Sequence, residues 1–205
     1  MVTPTQALSA KGRQTRQAIE QAARKLFAER GFHGTTLADI TAAAGKSPAV
    51  FYRYFADKED LLAALAKSFL HDVVTPSRLS VALPKSPNDS EFFASVVSGY
   101  WNMFKQNIGI MIAVAQLAAT QHRFAVVQNE FRRFGMDIVA DSVRRAQEQG
   151  YADELDPEHT AAAIALLFEN FTTVVVGPSG LGLRISDEEA VATLSTIWKR
   201  TLYGI

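Results

Sequence analysis

TLADITAAAGKSPAVFYRYF, residues 36–55, is the stretch whose reading decides the fold. Thr36 and Asp39 have the spacing of a capping box, in which the hydroxyl takes an N-terminal amide and the carboxylate reaches back to the cap. A short helix follows to about Ala44, and Gly45 stops it. Ser47-Pro48 then restarts the chain as N-cap and first helical residue, because proline loses nothing where the amide has no helical partner. Two short helices joined by a glycine-containing turn have the geometry of a helix-turn-helix. On a helical projection Phe51 and Phe55 share the buried side, and Ala49, Val50 and Arg53 face away from it. Tyr52 and Tyr54 take the two edges, where their hydroxyls are placed for phosphates on opposite walls of a groove. A small outer face between two phenols suits a major groove about 12 Å wide. Lys58, in the first turn of the next helix, is unfavourable for the helix dipole and favourable beside a phosphate.

Outward from this segment the apolar periodicity is helical and β-type alternation is not sustained. Upstream, Ile19, Ala22, Ala23, Leu26 and Phe27 recur at three and four, and Gly31 is expected to end that helix as a left-handed cap. The third helix is expected to reach about Phe55. Asp57 caps a fourth over residues 58–74, with the stripe Leu62, Leu65, Phe69 and Val73. Prolines and serines from Pro76 to Asp89 mark a loop. Then come Ser90 to Gln106, apolar around most of its circumference; Ile108 to Ala119; a helix carrying Val127, Phe131, Phe134 and Ile138 and closed by Gly150; Pro157 to about Val176; and a last helix opened by the box Ser186 to Glu189. The expected fold is all-α with about nine helices: residues 1–57 as an N-terminal arm and three-helix domain, and 58–205 as a bundle for ligand binding and dimerisation, with 58–74 connecting them.

Composition narrows the chemistry. The chain has 205 residues, 48% hydrophobic and 20% charged, and no cysteine, which removes disulfides, thiolate catalysis and Cys-based zinc sites. The N-terminus reads as no secretion signal. The longest apolar run, Ile108 to Ala115, is far shorter than the roughly 20 residues of a membrane span. A cytoplasmic protein without a membrane partner is expected. The formal charge is zero, but residues 1–60 carry nine Lys/Arg against six Asp/Glu, and Lys11, Arg13 and Arg16 precede the first acidic residue. The N-terminal end therefore has a positive field that attracts a polyanion. Catalytic signatures are missing: there is no Gly-x-Ser-x-Gly elbow and no His-Glu-x-x-His, the run Gly177 to Gly182 has the wrong spacing for a phosphate loop, and His33, His71, His122 and His159 form no ligand spacing. No enzyme, metal or cofactor is expected.

Taken together, Ile19-x-x-Ala22-Ala23-x-x-Leu26-Phe27, Gly31-Phe32-x-x-Thr35-Thr36-x-x-x-Ile40, Ala44 to Phe55 and Lys58-Glu59-x-Leu61 resemble the TetR family of transcriptional regulators over about residues 16–65. The resemblance implies a dimer with two recognition helices, a ligand cavity in the C-terminal bundle and dimerisation through the last two helices. It puts Thr36, Ser47, Tyr52, Tyr54 and Lys58 on the backbone of double-stranded DNA, at a palindromic operator, and Pro48, Ala49, Val50 and Arg53 in or near the bases. The family often has a basic residue where this chain has Pro48, and a glycine and a polar residue at Ala49 and Val50. Direct readout is therefore expected to lean on thymine methyls against Ala49 and Val50, and on Arg53 with a guanine.

The aromatic and thioether set Trp101, Phe104, Met111, Phe131, Phe134, Phe168 and Phe171 is the candidate cavity lining, with Gln116, Asn170, His71 and His122 to orient a polar group. The competing reading of the same residues is plain core packing. No charge stands clearly within the apolar stripes of the helices from Ser90 and Asp156, so a small lipophilic effector is expected. Leu167, Val174, Leu194, Ile197 and Trp198 are the candidate dimer face, through an intermolecular four-helix bundle. The function expected is a ligand-responsive repressor released from its operator by that effector, with the 58–74 helix coupling the two parts. The competing reading is a helical small-molecule carrier without specific DNA binding.

Overall fold

A computed structural model describes residues 9–74, 82–177 and 182–204. Residues 1–8 of the arm, 75–81 of the first loop and 178–181 lie outside the described residues, as does the Val73 side chain. Among the described residues there are nine helices and no strand: α1 Ala10–Arg30, α2 Leu37–Ala43, α3 Pro48–Phe51, α4 Lys58–Phe69, α5 Ser90–Gln106, α6 Ile108–Ala118, α7 His122–Glu148, α8 Pro157–Val176 and α9 Asp187–Tyr203.

The local signals act where the sequence places them. Asp57, Asp89 and Asp156 each accept a backbone N–H of the first turn of α4, α5 and α8, and Ser186 with Glu189 forms a reciprocal box on α9. Three local expectations are corrected. Gly31 has a positive φ of 71° but a ψ of 169°, so it leaves α1 extended and not through the left-handed helical basin. α3 stops at Phe51, because the Arg53 and Tyr54 amides bond to the carbonyls three residues back, which tightens the chain into a turn before the extended Asp57. α4 ends at Phe69 and widens into a π-turn over Leu70–Val74. That turn brings both Phe69 and Leu70 onto a cluster with Phe131 and Phe134 of α7.

Two cores organise the packing. The first joins Ile19, Ala23, Leu26 and Phe27 of α1 to Ile40, Phe51, Phe55, Leu61, Leu62 and Leu65, and it continues into Ile110, Ala113, Val114 and Leu117 of α6 and into Phe124. The helix-turn-helix is thus seated directly on the bundle. Gly109 makes this seating close: a Cβ there would lie 2.5 Å from backbone atoms of Phe27 and Ala28. The second core packs Phe92, Phe93, Val97 and Trp101 of α5 against Val139 and Val143 of α7, Ile164 and Phe168 of α8, and Leu194, Trp198 and Leu202 of α9.

This second core overturns two candidate dimer contacts. Leu194 and Trp198 are 0% and 1% exposed within the single chain. Trp198 lies edge-on to Phe93 at 5.1 Å, and its Nε1 donates to Ser142 Oγ at 3.2 Å. Periodicity gave α9 an apolar stripe without saying whether its own subunit or another would cover it. Leu166, Leu167 and Ile197 do stay exposed. By length and composition alone α8 would cross a membrane. Here Ala161, Ile164, Phe168 and Thr172 face the core and Glu169 is ion-paired, so the apolar excess lies on the opposite face.

The Gly109→Ala substitution is expected to destabilise the fold by about 1–3 kcal/mol through overpacking, read as a lower urea midpoint with an unchanged slope. Asp187 is held below its ordinary pKa by bonds from Lys105 and Trp101, Asp39 by bonds from Thr36, and Glu189 by bonds from Ser186. Depressed folded values mean a contribution that is complete above the unfolded carboxylate range, about 3.9–4.3, and is lost as pH falls through the folded values. Urea midpoints measured from pH 6 down to pH 3 are expected to fall below that range, with a shallower fall in Asp187→Asn.

Candidate nucleic-acid interface and ligand cavity

The outer surface of the helix-turn-helix is fixed from within. Phe51 and Phe55, at 0% and 2% exposure, pack together at 5.6 Å and orient α3. Opposite them Pro48, Ala49, Tyr52 and Arg53 are exposed, with Val50 half-buried. Tyr54 is half-buried against the first core, whereas Tyr52 stands 60% exposed, so the two phenols are not equivalent. Ser47 Oγ accepts the Val50 amide at 3.4 Å. Thr36 Oγ1 accepts the Asp39 amide and donates to the Asp39 carboxylate at 2.6 Å. Among the described residues the Arg53 side chain makes no hydrogen bond or ion pair.

Lys58 has a role that the sequence did not announce. Its Nζ donates to Phe32 O at 2.6 Å and to Thr35 O at 2.7 Å, and sits 4.3 Å from the centre of the Phe32 ring. It closes the turn between α1 and α2, and burial lowers its pKa. An ammonium has three donors, so one remains for a phosphate. The partners are 26 and 23 residues away, beyond any local pattern.

A cavity of about 840 Å³ opens between the end of α4 and helices α5 to α8. Phe104, Met111, Phe131, Phe134 and Phe168 line it as expected. Trp101 and Phe171 do not: their rings face each other at 6.3 Å in the second core, and Trp101 Nε1 donates to Asp187 at 3.0 Å. Gln116, Asn170, His71 and His122 are exposed on outer helix faces, so none orients a group inside. α5 read as apolar all round because it has two covered faces, one packed on α9 and one, through Val96, Tyr100 and Met103, on the cavity.

The wall also carries charge, against expectation. Arg132 grips Glu169 through Nε–Oε2 at 2.6 Å and Nη2–Oε1 at 3.1 Å, and Gln128 Nε2 donates to the same Oε1 at 2.9 Å. The one acidic residue within Ala161–Val176 was the available signal, since a charge in an apolar helix demands a partner. Two polar contacts tie the cavity region to the helix-turn-helix. Arg24 Nη1 donates to Asn107 Oδ1 at 3.3 Å, and Asn107 also lines the cavity. Arg123 and Gln121, at the start of α7, bind Glu59 at 2.7 and 3.0 Å.

The architecture, an all-helical chain with an outward helix-turn-helix and a cavity in the bundle behind it, is one that DNA-binding regulators share. Residues 19–65 match the family model described as bacterial regulatory proteins, tetR family. The HTH-type transcriptional regulator UidR of Escherichia coli (strain K12) is 26% identical over 163 residues, 77% of this chain and 78% of that protein. The HTH-type transcriptional repressor AcnR of Corynebacterium glutamicum is 43% identical over 53 residues, 26% of this chain and 28% of its own. A putative transcriptional regulator from Saccharomonospora viridis, solved in complex with choline, superimposes with a TM-score of 0.71 at 20% identity, over 91% of this chain and 96% of that one. Over residues 19–65 the chain is similar to the tetR family of bacterial regulatory proteins, and across most of its length its fold is that of solved transcriptional regulators. Regulators of this family bind DNA operators and act as dimers.

Lys58→Met is expected to lose about 1.5–3 kcal/mol, the range for hydrogen bonds to a charged group, measured by urea denaturation in the absence of DNA.

Proposed function

We propose that this chain is a dimeric, cytoplasmic repressor that leaves a palindromic operator when a small lipophilic effector enters the bundle. The observation that carries the reading is the outer face of α3, where Pro48, Ala49, Tyr52 and Arg53 are exposed while Phe51 and Phe55 are locked inside. In this reading residues 1–57 bind DNA and 58–205 bind effector and partner, with 58–74 connecting them. Thr36, Ser47, Tyr52, Tyr54 and Lys58 hold the sugar-phosphate backbone, and Pro48, Ala49, Val50 and Arg53 lie at the bases. The exposed Leu166, Leu167 and Ile197, with half-buried Val174, supply the apolar part of a twofold interface that sets two α3 helices about 34 Å apart.

Phe69 supports α4 as the coupling element, because it lines the cavity immediately before the π-turn of the helix that begins at Lys58. A ligand that favours one placement of Phe69 shifts the spacing of the two α3 helices, and its effect is limited by its differential affinity for the two arrangements.

Binding to duplex DNA from immediately upstream of its own gene, against a scrambled duplex across a salt series, tests the proposal. Sequence-dependent binding is expected, with a log–log salt slope of about −0.9 per phosphate neutralised, and Arg53→Ala is expected to reduce affinity and relax base preference. Weak, equal binding to both duplexes, together with cavity binding, would favour a carrier instead.

A further inference from the structure

The cavity wall carries one closed ion pair, Arg132 with Glu169, among mostly apolar side chains. α5 and α8 run toward the helix-turn-helix and α7 runs away from it, as the contacts Arg24–Asn107 and Glu59–Arg123 fix. The last turns of α5 and α8 and the first turns of α7 therefore meet at the inner end, nearest the helix-turn-helix. Toward that end the polar lining is Asn107, Gln128, Arg132 and Glu169, set among Met103, Phe104, Met111 and Phe131. At the opposite level the buried lining is Phe92, Val139, Ile164 and Trp198, with Lys85, Asp89, Glu91 and Ser95 at the outer rim. The inner polar group is charge-balanced: both nitrogens that Arg132 turns to Glu169 are used, and Gln128 adds a neutral donor.

We propose that the cavity takes an elongated amphiphile with an apolar body and a single uncharged hydrogen-bonding head, a hydroxyl or carbonyl, seated inward against Gln128 and the Arg132–Glu169 pair. This inference rests on the effector reading above and names the effector class. An anionic head would compete with Glu169 for Arg132, and a cationic head with Arg132 for Glu169. Either leaves a half-buried charge of the protein without its partner, a larger loss than the new pair recovers. A hydroxyl or carbonyl bonds to the free positions of Gln128 and of the Glu169 and Arg132 groups without opening the pair.

The probes are 1-dodecanol, dodecanoate and dodecyltrimethylammonium, below their micelle concentrations, titrated calorimetrically into the full chain. Wild type is expected to bind 1-dodecanol at least tenfold more tightly than either ion. Glu169→Gln leaves Arg132 unneutralised and is expected to strengthen dodecanoate binding at least tenfold. Arg132→Gln is expected to do the same for dodecyltrimethylammonium, with thermal melts showing whether each variant folds; either variant alone suffices. Equal affinity for all three probes, or variants that leave the order unchanged, would overturn the assignment. So would no binding of any probe, and operator binding measured on the same sample shows whether the regulator reading survives that failure.

Discussion

Burial of Phe51 and Phe55 is the constraint on which the rest depends. A helix of four residues has no stability of its own, since nucleation alone costs more than one turn returns. α3 exists because Phe51 and, just beyond the helix, Phe55 are plugs in a core built by α1, α4 and α6, and the Ser47 cap and Pro48 fix where the turn begins. Everything outward of those plugs is set by them: which residues are exposed, which phenol leans inward, and how Arg53 is presented. Lys58 completes the device from behind by holding the carbonyls of the preceding turn.

The bundle solves a different problem, a large void that does not collapse. α5 separates two faces, giving one to Trp198 and its aromatic neighbours and the other to the cavity. The void is bounded by rigid rings and crossed at one level by a charged pair, whose strength depends on staying closed to water. Tyr100 is the deepest phenol of this wall: its hydroxyl is buried beside Thr172, neither makes a well-formed hydrogen bond, and burial pushes the phenol far above its ordinary pKa.

The sequence was most legible at the helix starts, where cause and effect lie within one helical turn. Thr36 with Asp39, Ser47 with Pro48, Asp57, and Ser186 with Glu189 all act locally, and the helix order followed from them. Five lining residues were readable because large apolar side chains in a bundle have few places to go. Illegible were relations set by the rotation of one helix against another. The α9 stripe does not say that Trp198 faces Phe93 and not a second subunit. Nothing near Glu169 names Arg132, 37 residues away, and nothing near Lys58 names Phe32. The π-turn escaped for another reason, since one extra residue in a turn leaves the apolar spacing before it intact.

Gly109 gives the joint between the two parts a mechanical character. Where α6 meets α1 the contact is backbone against backbone, with no side chain between them to compress or change rotamer. Such a surface acts as a hard bearing: it resists approach steeply and resists rolling only weakly. In the effector response proposed above, a load on the cavity would reach α1 through this contact as tilt. In that reading, the farther α3 stands from the bearing, the larger the lateral displacement a given tilt would produce at Arg53.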